Sequence, residues 1–268
     1  MEPMKQITAR IVSSSTVMPG VSLIWVEAPE IAAEARPGQF VTIRCGEGFE
    51  PLLRRPLSIH RIKDGKLALL FAIVGQGTEW LSNRSAGDLL DIIGPLGNGF
   101  QIRKDTKKLL LVAGGIGIAP LAALAEKAIA DGLAVKLLLG AATSAQLYPE
   151  AIENVEIIRA TDDGSAGKKG MVTDLLPSLV PWADQIFACG PIPMYRAMVQ
   201  MCAKFADKPV QVSLEQAMAC GVGACRGCTI LTNRGMKSVC QDGPVFELRD
   251  IEWEKVVPPV QNRLMRSV

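Results

Sequence analysis

One short stretch constrains this chain more than any other. Cys220-Gly221-Val222-Gly223-Ala224-Cys225-Arg226-Gly227-Cys228 is followed eleven residues later by Cys240, giving C-x4-C-x2-C-x11-C. Four thiolates at such spacing can enclose a [2Fe–2S] cluster. The glycines suit a loop that turns sharply and aims backbone N–H groups at sulfur. A zinc site with four cysteine ligands is the competing reading. Zinc motifs usually carry two C-x2-C knuckles, whereas here one pair is split by four residues and Cys240 stands alone.

Composition narrows the class. The chain has 268 residues, enough for two domains and an appendage, and 49% of them are hydrophobic, enough for a full core. Its net charge of +2, without a basic block, argues against nucleic acid as the main partner. Cys45, Cys189 and Cys202 bring the cysteines to seven, an odd number that suits a reducing compartment better than a disulfide framework. The N-terminus lacks an apolar signal region, so a cytoplasmic protein is expected. Gly114-Gly115 and Pro120 break the longest apolar run, Leu109 to Ala125, which therefore reads as strand, turn and helix and not as a membrane span.

From Lys5 to about Gln101, short β-rich runs alternate with Gly and Pro, predicting an antiparallel barrel or sandwich. Strands are expected at Val21–Val26, Phe40–Arg44, Leu57–Arg61 and Leu67–Val74. Turns are expected at Pro37-Gly38, Asp64-Gly65 and Gly94-Pro95, and a short helix over Glu79–Arg84. Within this region Arg55-Pro56-Leu57-Ser58 offers a guanidinium fork and a hydroxyl to a pyrophosphate, or is simply a basic turn. Gly75-Gln76-Gly77-Thr78, opening the short helix, is a second phosphate cradle.

Near Lys104 the pattern changes to apolar runs alternating with helical stretches, predicting a parallel sheet wound with helices. Strands are expected at Leu109–Ala113, Val135–Leu139, Val155–Arg159, Gln185–Cys189 and Val210–Ser213. Helices are expected at Pro120–Ala130, Ala145–Ala151, Thr173–Val180 and Pro193–Phe205. The turn Gly114-Gly115-Ile116-Gly117-Ile118-Ala119-Pro120 leads from strand to helix, where N-terminal amides can face a pyrophosphate. It is not G-x-G-x-x-G, so a tight turn without a ligand stays open. Cys189-Gly190-Pro191 ends a later strand at the carboxyl edge. There the thiol either borders a nicotinamide or is an ordinary buried one.

In this order, R-P-x-S, G-G-I-G-I-A-P, C-G-P and a C-terminal four-cysteine run, the chain resembles the ferredoxin reductase superfamily. More narrowly, it resembles the electron-transfer subunits of NAD-dependent class 1B dihydroorotate dehydrogenases, from about residue 5 to about 250. The most specific stretches are Gly94–Phe100, Thr161–Ser165, Met218–Cys225 and Val239–Phe246. The resemblance implies a multidomain α+β and α/β fold in three parts: a flavin-binding antiparallel β-barrel over 1–103, a doubly wound parallel-sheet NAD domain over 104–208, and a small iron–sulfur segment over 209–268. It also implies that Arg55, Pro56, Leu57 and Ser58 line FAD, with Arg55 on the pyrophosphate, and that Leu70, Phe71, Ala72, Gly77 and Thr78 complete the site. Gly114, Gly115 and Gly117 would receive NAD, Cys189, Gly190 and Pro191 would border the nicotinamide, and Cys220, Cys225, Cys228 and Cys240 would ligate the cluster.

The implied activity is an NAD(H)-dependent oxidoreductase subunit that does not itself oxidise dihydroorotate. Its implied partner is an FMN-containing catalytic subunit, in a heterotetramer of two of each. A flavin must stand between a hydride donor and a one-electron cluster. No acid or base catalyst is expected, and the single histidine, His60, reads as structural or flavin-adjacent. The run Ala141-Ala142-Thr143-Ser144 offers no Arg for a 2′-phosphate, which favours NADH, although Lys168 and Lys169 leave NADPH open. In plant ferredoxins the fourth cysteine lies much further along, so that likeness is local. The same architecture also serves reductase subunits of soluble hydrogenases and of NADH-dependent ferredoxin:NADP reductases. A zinc-stabilised binding module on a degenerate reductase scaffold is the reading from another class. Cys202 is expected to pack on its helix, and Trp253 to Val268 to be a docking segment or a packed terminus.

Overall fold

The computed structural model describes residues 4–46, 48, 51–201, 205 and 208–257. Six antiparallel strands close a barrel: β1 (Lys5–Met18), β2 (Val21–Glu27), β3 (Phe40–Ile43), β4 (Arg55–Lys63), β5 (Lys66–Ala72) and β6 (Leu89–Leu96), in the order β1-β2-β5-β4-β3-β6. Short helices α1 (Pro29–Ala32) and α2 (Gln76–Ser82) fill the connections. Strand β5 is apolar on both faces, and the packing explains why. Leu67, Leu69 and Phe71 point into the barrel with Ile24, Val41 and Ile59. Ala68 and Leu70 point outward into a second core shared with the next domain.

That domain is a seven-stranded sheet. Its strands are β7 (Lys108–Gly114), β8 (Ala134–Ala141), β9 (Glu156–Thr161), β10 (Lys168–Lys169), β11 (Gln185–Cys189), β12 (Val210–Ser213) and β15 (Val245–Glu247), in the order β10-β9-β8-β7-β11-β12-β15. All pairs are parallel except β12 with β15. Chain order reverses between β7 and β11, and in open sheets of this kind ligands bind outside the carboxyl ends at such a switch point. Helix α3 (Ile118–Ala130) follows β7 and packs its apolar residues against the sheet and the barrel wall, joining the two domains through one core. Helices α4 (Leu176–Leu179) and α5 (Ile192–Gln200) lie later in the domain. The C-terminal segment adds a hairpin of β13 (Thr229–Thr232) and β14 (Gly235–Ser238), then α6 (Val239–Asp242). Because β12 and β15 lie beyond residue 208, the C-terminal cysteine segment is built onto the edge of the seven-stranded sheet and shares its core, which includes Cys228, Ile230, Cys240 and Trp253.

Several local expectations change. Gly94-Pro95 lies inside β6, where pairing with β1 ends at Gly94 so that Pro95 needs no donor there. Helix α2 begins at Gln76, earlier than the Glu79 start read from the sequence. The helix expected over Ala145–Ala151 is one 3-10 turn, Ser144–Gln146, with Pro149 just beyond it. The helix expected over Thr173–Val180 breaks into 3-10 and α pieces around Pro177 and Pro181, because proline lacks the donor a continuous ladder needs. Helix α5 ends at Gln200, and Cys202 lies outside the described residues. Trp253 and Val256 are buried, so the start of the tail is packed, while its residues from 258 lie outside the described set. Among the described residues no helix is long and apolar enough to cross a membrane.

Candidate functional site

The four cysteines of the C-terminal run meet because of the hairpin between them. Strands β13 and β14 pair from Thr229 with Ser238 to Thr232 with Gly235, which returns the chain so that the Val239 N–H donates to the Cys228 carbonyl. Eleven intervening residues thus bring Cys240 back beside Cys228. Backbone amides then converge on all four sulfurs. Val222 and Cys225 donate to Cys220 Sγ at 3.5 and 3.4 Å, Gly227 to Cys225 Sγ at 3.4 Å, Cys240 to Cys228 Sγ at 3.4 Å, and Gly223 to Cys240 Sγ at 3.1 Å. A donor on each sulfur is what thiolates need. Although desolvation raises the Cys220 thiol pKa, amide bonds from Cys225 and Val222 bring it down to about 6. Cys240, buried against Cys228, is pushed up to about 12.

The sulfurs associate in pairs. The Cys225 N–H donates to Cys220 Sγ, and the Cys240 N–H donates to Cys228 Sγ. Among the described residues no three His, Cys, Asp or Glu side chains gather closely enough for a single metal ion. Four cysteine thiolates in two such pairs suit a binuclear cluster, which takes two thiolates per iron. Cys228 and Cys240 are buried, whereas Cys225 is exposed, so this site reaches the surface.

A cleft of about 420 Å³ lies between barrel, sheet and cluster segment. The barrel contributes Arg55, Pro56, Leu57 and Ser58 from β4 and Leu70, Phe71 and Ala72 from β5, with Thr78 from α2. The expected flavin residues therefore come together on one wall. Gly77 sits beneath the Arg55 side chain, since a Cβ there would fall 2.5 Å from Arg55 Nε. The Thr78 hydroxyl accepts from Val74 and Gly75 N–H at 2.9 and 3.2 Å and donates to the Gly75 carbonyl, which locks the turn before α2. A guanidinium laid along such a turn is a fitting cradle for a pyrophosphate.

The opposite wall is the switch point. Ile116, Ala119 and Cys189 line the cleft there. The turn after β7 is pressed against the turn after β11. A Cβ on Gly117 would lie 1.9 Å from the Cys189 carbonyl oxygen, and one on Gly114 would lie 2.8 Å from Pro191 Cδ. Gly115 has no neighbour within 4 Å of such a Cβ, so the turn is open on that side. The Tyr195 hydroxyl accepts from Gly190 N–H at 2.9 Å and donates to the Ser213 carbonyl at 2.7 Å, pinning the Cys189-Gly190-Pro191 turn to β12. Burial pushes the Cys189 thiol pKa up, so it forms a protonated, apolar wall and not a nucleophile.

The sequence assigns no binding role to the third wall, although Met218 and Pro244 lie within stretches that carry the family resemblance. Ser213, Leu214, Glu215, Gln216, Ala217 and Met218, the link from β12 to the cysteine loop, border the cleft with Pro244. Glu215 faces the cleft and is solvent-accessible through it, while protein on its other sides desolvates the carboxyl and raises its pKa. The available signal is positional: these residues follow a strand that ends at the carboxyl edge of an open sheet. His60 does not line the cleft. It is fully buried between β4 and α3, in a structural place.

Comparisons with known proteins fit this geometry. Residues 215–252 match the family described as the iron–sulfur cluster binding domain of dihydroorotate dehydrogenase B. The dihydroorotate dehydrogenase B (NAD(+)) electron transfer subunit of Desulforamulus reducens is 41% identical over 261 residues, covering 93% of this chain and 99% of that one. The chain belongs to this family of electron transfer subunits. The family member from Bacillus caldolyticus is 40% identical over 227 residues, covering 81% and 86% of the two chains. Among solved structures, that of an NADH-dependent reduced ferredoxin-NADP oxidoreductase superposes with a TM-score of 0.81 at 33% identity, over 92% of this chain and 90% of that one. The ferredoxin reductase of carbazole 1,9a-dioxygenase, at 24% identity and a TM-score of 0.63 over 76% and 67% of the two chains, shares the fold. Here the segment that matches the cluster-binding domain follows a ferredoxin reductase-like barrel and sheet.

Proposed function

We propose that this chain is the electron-transfer subunit of an NAD+-dependent dihydroorotate dehydrogenase of pyrimidine biosynthesis, using FAD, a [2Fe–2S] cluster and NAD(H). The observation that supports it best is the three-walled cleft. One wall carries the pyrophosphate fork, one the dinucleotide turn, and one leads without interruption into the cysteine loop. Bound there, FAD supplies the exchange between hydride at the nicotinamide and single electrons at the cluster.

The chain's own residues orient and shield. Arg55, lying over Gly77, would hold the pyrophosphate, and Pro56 to Ser58 with Leu70 to Ala72 would line the flavin. The turn at Gly114, Gly115 and Gly117 takes the dinucleotide, with Cys189, Gly190 and Pro191 against the nicotinamide. Asp162 and Asp163 reach the end of β8 through N–H bonds to the Ala141 and Ala142 carbonyls. The Asp163 carboxylate accepts from Ser165, and Lys168 and Lys169 pair with the adjoining end of β9, so the support for NAD(H) comes from the NAD(+) named for the relatives. Cys220, Cys225, Cys228 and Cys240 hold the cluster, and the exposed Cys225 marks the side facing the catalytic partner.

The family names imply a catalytic partner subunit. We take it to be the FMN-containing subunit that oxidises dihydroorotate to orotate, in a cytoplasmic heterotetramer of two of each. Dihydroorotate releases two electrons and two protons. NAD+ takes both electrons and one proton as hydride, and the other proton goes to water. The structural match to an NADH-dependent ferredoxin-NADP oxidoreductase supports a second reading, a reductase subunit of a different flavin and iron–sulfur complex.

Co-expression with the FMN-type dihydroorotate dehydrogenase of the same organism separates the two. Dihydroorotate-dependent NAD+ reduction should appear only with both subunits present, and the complex should have the mass of two copies of each. Isolated chain that passes electrons from NADH to a dye, but gains nothing from that partner, would favour the second reading.

A further inference from the structure

The barrel and the nucleotide sheet meet across a buried polar array that the electron route does not use. His60 Nδ1 lies 3.0 Å from the Ala119 carbonyl oxygen, and its Nε2 lies 2.9 Å from the Tyr148 hydroxyl. That hydroxyl is also 2.8 Å from Glu150 Oε2. Arg61, the next residue on β4, forms ion pairs of 3.2 Å with both Glu150 and Glu126 of α3. Three elements are tied together: β4 of the barrel, the first turn of α3, and the segment around 148–150 after β8.

Proton counting fixes the direction of the bond to Ala119. A carbonyl only accepts, so Nδ1 carries a proton toward Ala119. Burial drives the His60 pKa down to about 4, so the ring is neutral near pH 7 and its Nε2 accepts. Burial and the bond to Glu150 keep the Tyr148 hydroxyl protonated, and its single proton faces two acceptors, Glu150 Oε2 at 2.8 Å and His60 Nε2 at 2.9 Å. The imidazole is thus held at Nδ1 by a bond of defined direction and at Nε2 by a hydroxyl that also serves Glu150. Apolar packing between β4 and α3 brings the surfaces together but has no direction of its own.

The two ends of this bridge lie beside the chemistry. Ala119 stands two residues after Gly117 of the dinucleotide turn, and Ser58 stands two residues before His60 on β4. Ala119 and Ser58 both line the cleft, from opposite walls. We infer that His60 and Tyr148 are positioning residues for hydride transfer: they set the separation between the dinucleotide turn and the flavin bed. This rests on the proposed FAD and NAD(H) reading.

The test uses full chain loaded with FAD and cluster, mixed rapidly with NADH. Flavin bleaching reports the limiting rate, and long-wavelength charge-transfer absorption reports nicotinamide stacked on flavin. Tyr148→Phe and His60→Leu should keep FAD and iron content and leave the NADH Kd within about twofold, because the dinucleotide's own contacts remain. The limiting rate should fall roughly ten- to a hundredfold, the scale expected for a misplacement near 1 Å, and the charge-transfer band should weaken with it. His60→Gln, whose amide offers both a donor and an acceptor, should recover part of both signals. An unchanged limiting rate and charge-transfer band in Tyr148→Phe would overturn the inference, even if its melting temperature fell. So would a slower His60→Leu that His60→Gln does not improve. If unmutated holoprotein were not reduced by NADH at all, the underlying functional reading would fail instead.

Discussion

The dinucleotide turn at 114–117 and the cysteine loop at 220–228 are both rich in glycine, but for different physical reasons. At Gly117 the issue is contact, since the turn passes so close to Cys189 that a Cβ would lie 1.9 Å from its carbonyl oxygen. At Gly223 it is torsion. With φ at +83° the residue adopts a left-handed conformation, which aims its N–H at Cys240 Sγ. The nearest obstacle to a Cβ there is the Gln241 side chain, which can move. A turn that grips through packing should therefore be intolerant of any side chain. A loop that grips through amide direction should respond in proportion to how far the amide swings.

The largest effect should come from removing a ligand and leaving both turns alone. Cys225→Ser should abolish the cluster, read as lost iron and lost cluster absorption, while NADH-to-dye electron transfer persists. Loss of FAD along with the iron would mean the two sites are not separable.

Gly117→Ala comes next. The clash is backbone on backbone, so roughly 3 kcal/mol of stability or more should go, with NADH binding weakened and cluster content unchanged in whatever folds. Urea unfolding and NADH titration would read the two effects. A near-neutral result would put the contact account in error.

Gly223→Ala should be milder. A left-handed conformation costs about 1–2 kcal/mol for a residue with a Cβ, and the altered amide should shift the cluster's spectrum or lower its occupancy without touching NADH binding. If NADH binding fell as much as in Gly117→Ala, the contrast between the turns would collapse.

The smallest effect concerns the sheet that carries both. Asp184 accepts N–H bonds from Lys107 and Lys108, both 2.9 Å, at the entry to β7 and β11. The Lys107 amide first, with the Lys108 amide and lysine charge helping, holds its carboxyl below the usual range. A depressed folded pKa stabilises the fold above the unfolded value of about 4 and ceases to do so as pH falls through the folded value. Asp184 is well exposed, so Asp184→Asn should cost about 0.5–1 kcal/mol at most near neutral pH after solvent screening. The gap to the unmutated chain should close in strong acid. A gap that widened in acid would reverse the sign of this linkage.

What could be read from the sequence depended on how local the physics is. The cysteine run, Arg55-Pro56-Leu57-Ser58 and the glycine turns carry their chemistry in adjacent residues. Arg55 to Ser58 line the cleft, while of the turns Thr78, Ile116 and Cys189 border it and Gly77, Gly114, Gly115, Gly117, Gly190 and Pro191 stand behind them. Phe40 and Glu215 reach the same cleft from distant segments, and no motif around them assigns them to it. Prolines misled in both directions. Pro177 and Pro181 broke a helix that the apolar pattern suggested, while Pro95, expected in a turn, sits within a strand. His60 looked ambiguous because its partners, Ala119 and Tyr148, lie 59 and 88 residues away.

The pairing of β15 with β12 has a consequence for how such a chain could lose its cluster. The last parallel strand of a nucleotide sheet would otherwise present a row of bare amides and carbonyls, a template for another molecule's strand. Here the returning cluster segment covers that edge. A truncation after Leu214 would therefore expose a sticky border as well as removing iron. Converting this protein into a plain flavin reductase would call for a replacement edge strand or a charged border, and without one the product should self-associate.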